Sequence, residues 1–205
     1  FNLQQTVLGK ENSAYSFDGV NDEIDILLNQ NLQEFTAGNH SYSVWVNTEN
    51  ESNVIKFVID GSAPESDQRG IRINESSQPI FKWVTTDSSY SAISVNSIDQ
   101  NLWYHLVGVF NDLEGKIFLN GIQTDSSSST GSLAQITILN IGNISSGGTG
   151  DGFFNGIIDD IGIYNRALTE TEITELYCEG NWCVEGCTDS TATNYQPEAN
   201  FDDGS

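Results

Sequence analysis

Two adjacent carboxylates, Asp159 and Asp160, stand inside the run IIDDIGIY, which otherwise has the composition of a buried strand. Neighbouring residues of a strand point to opposite faces of the sheet, so one of these acids is expected to face apolar side chains. A carboxylate in such surroundings is unfavourable unless a cation or a metal ion neutralises it. The pair therefore has three interpretations: a solvated strand end, neutralisation by Arg166, or a calcium site built from oxygen ligands.

The charge balance of the whole chain limits its partners. The 205 residues include 29 acidic and 7 basic side chains, which gives a formal net charge of −22. Such a surface repels phosphate backbones and anionic lipids, so neither nucleic acid nor a membrane is expected as a partner. The acid excess is typical of a solvated surface on a secreted protein, and it also supplies carboxylates for calcium.

Short runs rich in Val, Ile and aromatic residues alternate with turn signals along most of the sequence. Period-two alternation without long helices predicts an all-β fold, an antiparallel β-sandwich or jelly roll. The dipeptide Asn120-Gly121 predicts a tight hairpin. The segments with strand character are 41–47, 54–60, 70–74, 80–85, 104–110, 116–121, 135–142 and 157–164.

One short C-terminal helix is predicted in RALTETEITELYC, where Thr169 and Glu172 have the spacing of a capping box. Apolar residues repeat on one of its faces, so it is expected to close one end of the sandwich. The composition after it becomes polar and turn-rich. We therefore expect a main domain over residues 1–178 and a Cys-containing acidic tail or linker over residues 179–205.

Three cysteines, Cys178, Cys183 and Cys187, lie within ten residues near the C-terminal end. A disulfide in an oxidising compartment fits this cluster better than zinc does, because both histidines lie far upstream. Cys178 and Cys183 are close enough in sequence to close a small loop, which leaves Cys187 alone. The partner of Cys187 is then expected beyond the end of this sequence.

Carbohydrate modules bind through exposed aromatic faces and a few polar side chains. Trp83 is the candidate stacking platform, with Lys82 beside it and Arg69 and Arg72 on a strand that is expected to be its neighbour. Three of the seven basic residues thus fall in one short stretch, which favours a sulfated or uronic-acid glycan if this sheet is concave. Tyr90 is a candidate for the rim. The alternatives are a core position for Trp83 and a solvated turn for Tyr90.

An ordered set of motifs carries a family resemblance: YSFDG, WYHLVGVF, KIFLNG and IIDDIGIYNRAL. Together they resemble the bacterial laminin-G-like domains of the concanavalin A-like lectin/glucanase superfamily, over about residues 13–178. The resemblance implies a jelly roll whose first and last strands are neighbours, joined by a Ca²⁺ ion. Carried onto this sequence, it implies Asp159 as the principal ligand, Asp18 and Gly19 as the facing contributors, and Asp160 as the second acid of the pair.

The tail has a resemblance of its own. Its sequence, CTDSTATNYQPEANFDDGS, is similar to a unit found near the ends of secreted proteins from marine Bacteroidetes-type bacteria. This implies a secreted or cell-surface location and covalent linkage to other domains in a longer parent chain. It also implies that the partner of Cys187 directly follows Ser205.

The residues do not favour catalysis. The glucanase members of the superfamily carry a Glu-x-Asp-x-x-Glu strand, which is missing here, and His105 occupies a W-x-H motif in which the superfamily uses histidine for packing. We therefore predict a non-catalytic, calcium-stabilised carbohydrate-binding module of a secreted polysaccharide-degrading enzyme. The alternative is a cell-surface adhesion or spacer domain that contacts other proteins, because this fold hosts both functions.

Overall fold

The computed structural model describes residues 5–6, 14–27, 38–49, 55–62, 68–143, 152–179, 183–197, 199, 201–202 and 204. These residues form two antiparallel sheets that make a β-sandwich, a small third sheet and one helix. The prediction of an all-β jelly roll with one C-terminal helix is therefore confirmed. Each predicted strand segment overlaps an observed strand, because period-two alternation reports directly which residues face the core.

The larger sheet has seven strands and contains both early and late parts of the chain. The strands β2 and β13 are paired, with Asn155 opposite Asp18 and Ile158 opposite Tyr15, so an early strand and the final strand of the sandwich are neighbours. In spatial order the strands are β1 (Gln5–Thr6), β2 (Ala14–Asp18), β13 (Asn155–Tyr164), β4 (His40–Thr48), β9 (Trp103–Asn111), β10 (Glu114–Leu119) and β11 (Ile122–Ser128).

The smaller sheet has six strands. It includes Ser89–Ile93 at one edge, a segment whose Ser-rich sequence indicates a loop but which pairs with its neighbour through Trp83 and Tyr90. In spatial order the strands are β3 (Ile24–Leu27), β12 (Ile138–Ile141), β5 (Lys56–Ser62), β6 (Gln68–Ile73), β7 (Pro79–Val84) and β8 (Ser89–Ile93).

The core lies between the two sheets and is rich in aromatic residues. Trp83 packs against Gly115 on the facing sheet so closely that a Cβ atom at Gly115 would lie 2.3 Å from Cζ3 of the indole. Phe81 makes a similar approach to Gly108, at 2.3 Å from a Cβ atom placed there. The two glycines therefore make room for large rings that fill the sandwich.

The helix α1 (Glu170–Cys178) begins with the predicted capping box. The side chain of Thr169 accepts a hydrogen bond from the backbone N–H of Glu172, and Glu172 accepts one from the backbone N–H of Thr169. The helix does not close an end of the sandwich, as the sequence predicts, but packs on the outer face of the seven-stranded sheet. There Ile173 joins an apolar cluster with Val107 and Phe118, which are side chains of β9 and β10.

The C-terminal segment has its own small structure. Strand β14 (Glu185–Gly186) pairs in parallel with β15 (Phe201–Asp202). A disulfide joins Cys178 to Cys183, whose Cα atoms are 4.8 Å apart, while Cys187 is buried and forms no disulfide with the part of the chain described. Across the described ranges, no helix has the length and apolar character needed to cross a bilayer.

Candidate functional site

The double acid of the last strand lies at a β-bulge. Asp159 pairs with Trp45 and Gly162 pairs with Ser43, so two residues of β13 stand opposite the single residue Val44 of β4. Asp160 has a φ of +44°, in the left-handed region that Asp adopts more readily than most residues. An extra residue of this kind bends the strand and re-aims the side chains that follow it.

The bulge removes both acids from the core. Ile158 and Ile161 are three residues apart, yet both pack against the core cluster, which strict alternation would forbid. Asp159 shares the outer face with its in-register partner Trp45, and Asp160 is exposed. The expectation that one acid faces the apolar core is therefore wrong, because the inserted residue takes up the change of face.

The immediate partners of the acid pair are local. The backbone N–H of Asp160 donates a hydrogen bond to Oδ1 of Asp159 at 3.0 Å. Arg166, the candidate for neutralising one of the acids, instead makes a two-point ion pair with Glu172 at 2.6 and 2.7 Å. The interpretation that Arg166 balances the double acid does not fit this geometry.

The predicted calcium clasp does not fit the strand register. Asp18 lies opposite Asn155, four residues before Asp159, which places Asp159 about 13 Å further along the sheet at ~3.3 Å per residue. Calcium ligands lie within about 2.6 Å of the ion, so one ion would not contact both carboxylates. Among the described residues, no three carboxylate, imidazole or thiol side chains converge on one point.

The Asp18-Gly19 segment forms a turn stabilised by its own side chain. Oδ1 of Asp18 accepts hydrogen bonds from the backbone N–H groups of Val20 at 2.8 Å and Asn21 at 3.3 Å. Gly19 has a φ of +75°, which favours glycine at this position. The geometry thus explains both residues without a metal, and it does not join Gly19 to Asp160. Calcium binding elsewhere on the chain stays a prediction.

A cavity of about 300 Å³ opens beside the bulge, on the outer face of the seven-stranded sheet. The bulged part of β13 forms one wall, the end of α1 forms the other, and β4 and β9 form the floor. The residues that line it are Ser43, Trp45, His105, Asp160, Ile161, Gly162, Tyr164, Leu176 and Glu179.

The floor of the cavity is a stack of rings with a polar contact at its centre. The rings of Trp45 and His105 are stacked at 5.2 Å, and Tyr177 of the helix stacks on Trp45 at 5.7 Å. Nε2 of His105 and Oγ of Ser43 are hydrogen-bonded at 2.8 Å. His105 therefore acts as a packing residue, as its motif indicates, and it also lines the cavity.

One wall depends on the contact between Gly162 and Tyr164. A Cβ atom at Gly162 would lie 2.7 Å from Cε2 and 2.9 Å from the hydroxyl oxygen of Tyr164, so only glycine lets the ring lie this close to the strand. Tyr164 is partly buried. Its burial, followed by the nearby charge of Glu179, raises the pKa of the phenol, which therefore keeps its proton at neutral pH.

The rim of the cavity is acidic. Asp160 and Glu179 line opposite walls, and both are exposed. Within the described chain, no lysine or arginine lines the cavity. The site thus offers hydrogen-bond acceptors at its mouth, the hydroxyl of Tyr164 on its wall, and an aromatic floor.

The candidate stacking platform is not open to a ligand. Trp83 is 0% exposed and lies inside the sandwich, where its ring stacks on Tyr90 at 6.1 Å. The hydroxyl of Tyr90 is 3.0 Å from Oγ1 of Thr130. The prediction of a sugar platform at Trp83 is therefore wrong, and Tyr90 packs against the core as part of strand β8 rather than standing in a solvated turn.

The basic residues expected beside Trp83 divide between the two faces of the smaller sheet. Arg72 lies on its outer face, where its guanidinium covers the ring of Phe57 at 4.7 Å and pairs with Asp60 at 3.3 Å. Lys82 is on the same face, since its in-register partner Gly70 is two residues from Arg72. Arg69 is only 1% exposed and bonds to a backbone carbonyl. These residues do not form the open electropositive surface that an anionic glycan would need.

The sequence contains one signal for the cavity that strand alternation obscures. A glycine two residues after a double acid is typical of a bulge, because bulges relax the demand for alternation and favour small residues. Ser43 and Trp45 were assigned to a strand without a functional role, and Glu179 falls at the predicted boundary between domain and tail. These three residues meet only because β4, β13 and the helix end meet.

With the sandwich and its cavity described, the comparisons with known proteins identify the family. The family model of the concanavalin A-like lectin/glucanases superfamily, in its laminin-G form, matches residues 18–174, and the chain belongs to this family. The resemblance in the sequence motifs is therefore confirmed. No curated protein matches the chain.

Solved structures share the fold at low sequence identity. Domain 4 of AbnA, an extracellular GH43 arabinanase from Geobacillus stearothermophilus in complex with arabinotriose, has a TM-score of 0.68 and 19% identity over 86% of this chain and 82% of that domain. A SAP-like pentraxin from Limulus polyphemus has a TM-score of 0.62 and 14% identity, covering 82% of each chain. The sialidase of Trypanosoma rangeli has a TM-score of 0.61 and 17% identity over 80% of this chain, which spans only 27% of the sialidase. At these identities the likeness shows the fold alone.

Proposed function

We propose that this chain is a non-catalytic carbohydrate-binding module and that the cavity beside the β13 bulge holds a sugar residue. The observation that carries the proposal is the composition of the cavity. It combines acceptor oxygens of Asp160 and Glu179, the hydroxyl and ring edge of Tyr164, and an aromatic floor. Sugars present both hydroxyl donors and apolar C–H faces, so they require this combination.

The size of the cavity supports binding of a small part of a glycan. A volume of about 300 Å³ is at the lower end of the range for small-molecule sites. The site is therefore suited to one sugar residue at a chain end or a branch rather than to a long stretch of polymer. The arabinotriose complex of the arabinanase domain adds that this fold holds a short oligosaccharide in one of its members.

The setting of the two carboxylates supports binding rather than hydrolysis. A glycosidase acid needs a carboxyl group in a dry, apolar setting, so that it keeps its proton until the leaving group takes it. Asp160 and Glu179 lie at exposed positions instead. Release of reducing sugar from a bound polysaccharide by the purified chain would overturn the non-catalytic assignment.

The proposed biological setting is a secreted enzyme that degrades polysaccharide. The Cys178–Cys183 disulfide supports an oxidising compartment outside the cytoplasm. A module of this kind acts by holding a covalently linked catalytic domain near its substrate, which raises the effective concentration of the substrate.

The test is a binding measurement with a matched pair of glycine variants. Gly162→Ala forces the ring of Tyr164 away from the strand, whereas Gly38→Ala adds its methyl group where no atom lies within 4 Å. We expect a panel of neutral arabinans, galactans and glucans, examined by affinity electrophoresis and calorimetry, to contain a ligand. Its affinity should fall about tenfold or more in Gly162→Ala and stay unchanged in Gly38→Ala.

Two outcomes would contradict the proposal. Equal affinity of Gly162→Ala and the unaltered chain would remove the cavity as the binding site. Failure to bind any glycan of the panel would favour the adhesion or spacer function, in which the domain contacts proteins or only separates its neighbours.

A further inference from the structure

The charge around the cavity is one-sided. Asp160 comes from the bulge of β13 and Glu179 from the residue that follows α1, so the two carboxylates approach the mouth from different elements. The nearest basic group influencing this wall is Arg166, which affects the phenol of Tyr164. Arg166 is held by Glu172 in a two-point ion pair at 2.6 and 2.7 Å, so its charge is already compensated.

The wall between the two carboxylates also suits a cation. Tyr164 presents a partly exposed ring, and aromatic faces attract ammonium groups when the cation lies within about 6 Å of the ring centroid. The phenol keeps its proton at neutral pH, since burial and Glu179 raise its pKa. The wall thus adds no negative charge of its own, and its hydroxyl oxygen can accept a hydrogen bond from an amine.

We infer that the cavity selects glycans that carry a protonated amine, such as deacetylated amino sugars, over neutral and anionic glycans. This inference depends on the proposed carbohydrate-binding function and names the class of ligand for the same cavity. The ammonium group lies at the mouth between Asp160 and Glu179, with the sugar ring against Tyr164. A sulfate or carboxylate at the same position would meet two like charges and no base among the described lining residues.

The net charge of −22 makes any polycation a weak ligand, so the test must separate the cavity from the surface as a whole. Short oligosaccharides reduce this contribution, because they carry few charges. The double variant Asp160→Asn/Glu179→Gln removes the two charges of the rim. The matched control Glu75→Gln/Asp99→Asn removes the same number of charges at exposed positions away from the cavity.

The experiment is calorimetric titration at fixed ionic strength with three probes: glucosamine oligosaccharides, their N-acetylated counterparts, and uronic-acid oligosaccharides of equal length. We expect the glucosamine oligosaccharides to bind about tenfold or more tightly than the N-acetylated ones, since a hydrogen bond between charged groups is stronger than a neutral one. The rim variant should lose this preference, and the control should keep it.

The outcomes distinguish this inference from the proposed function. Equal affinity for aminated and N-acetylated probes, with binding still sensitive to Gly162→Ala, would overturn the charge selection and leave the binding module intact. Equal loss in the control variant would assign the preference to the general surface charge and would also overturn it. Tighter binding of the uronic-acid probe would contradict it directly, and no binding of any probe would remove both proposals.

Discussion

Replacement of His40 by phenylalanine should make the protein less sensitive to acid. His40 begins strand β4, is 0% exposed, and stacks on Phe110 at 5.6 Å. Its Nδ1 is 2.8 Å from the carbonyl oxygen of Gly38. A carbonyl only accepts, so Nδ1 carries the hydrogen of the neutral ring, and the buried Nε2 has no hydrogen-bond partner among the described residues. A second proton would thus place an unsatisfied N–H group in the core, near the positive charge of Arg69.

The size of the effect follows from the pKa. Burial and then the charge of Arg69 lower the pKa of His40 from 6.5 to about 3, while the hydrogen bond to Gly38 opposes them. The unfolded chain binds this proton as the pH falls below 6.5, whereas the folded chain remains neutral down to about pH 3. The contribution to stability is therefore complete above pH 6.5 and is lost on acidification. At ~1.36 kcal/mol per pH unit, the free energy of unfolding at about pH 4.5 should be about 2.7 kcal/mol lower than near pH 7.5.

The measurement is urea unfolding of the unaltered chain and His40→Phe at several pH values between about 4.5 and 7.5. Carboxylates titrate equally in both proteins, so the difference between the two free energies isolates the histidine. His40→Phe should be less stable near pH 7.5 by about 1 kcal/mol, through loss of the hydrogen bond to Gly38. This deficit should reverse on acidification by the 2.7 kcal/mol estimated above. Parallel curves would refute a neutral, desolvated imidazole at this position.

Two further predictions test the core and the metal. Trp83→Ala should lower the free energy of unfolding by about 3–5 kcal/mol, measured with urea, because the ring fills the sandwich; a stable variant that only lost sugar binding would contradict its burial. If calcium raises the melting temperature, only one of Asp18→Ala and Asp159→Ala should abolish the rise, since the register keeps these residues apart. Loss of the rise in both variants, compared by scanning calorimetry with and without chelator, would contradict the register.

The fold could be predicted from the sequence wherever local chemistry determines the structure. The hairpin at Asn120-Gly121 has φ values of +51° and +80°, as the dipeptide indicates. The capping box at Thr169 begins the helix at the expected residue. The side on which the helix packs is a different matter, because it depends on which sheet offers an apolar outer face. That face is built from Val107 and Phe118, which belong to strands far away in the sequence.

Strand β8 shows the limit of reading propensity alone. Its sequence, SYSAI, contains three residues that are as common in turns as in strands, and it follows an Asp-Ser pair. Pairing with β7 nonetheless places Tyr90 on Trp83 and Ala92 in the core. Tertiary contacts override a weak local preference at the edge of a sheet, where only one neighbour must be satisfied.

The error at Trp83 and the error at the double acid have opposite causes. Lys82 and Trp83 are adjacent in a regular strand, so alternation already assigns them to opposite faces and a joint binding surface was never compatible with it. At Asp159 and Asp160 the same rule was applied where it fails, because an inserted residue lets Ile158 and Ile161 both face the core.

That single insertion is also what produces the candidate site. Without it, strict alternation from Ile158 would turn Gly162 and Tyr164 towards the core and place Ile161 and Ile163 on the outer face. With it, Tyr164 faces outward beside a glycine that admits its ring, and Asp160 stands free at the rim of the cavity. The two acids thus marked the right region for a physical reason that differs from the expected one: they tolerate an exposed, left-handed position in a strand, and the binding surface is a consequence of that irregularity.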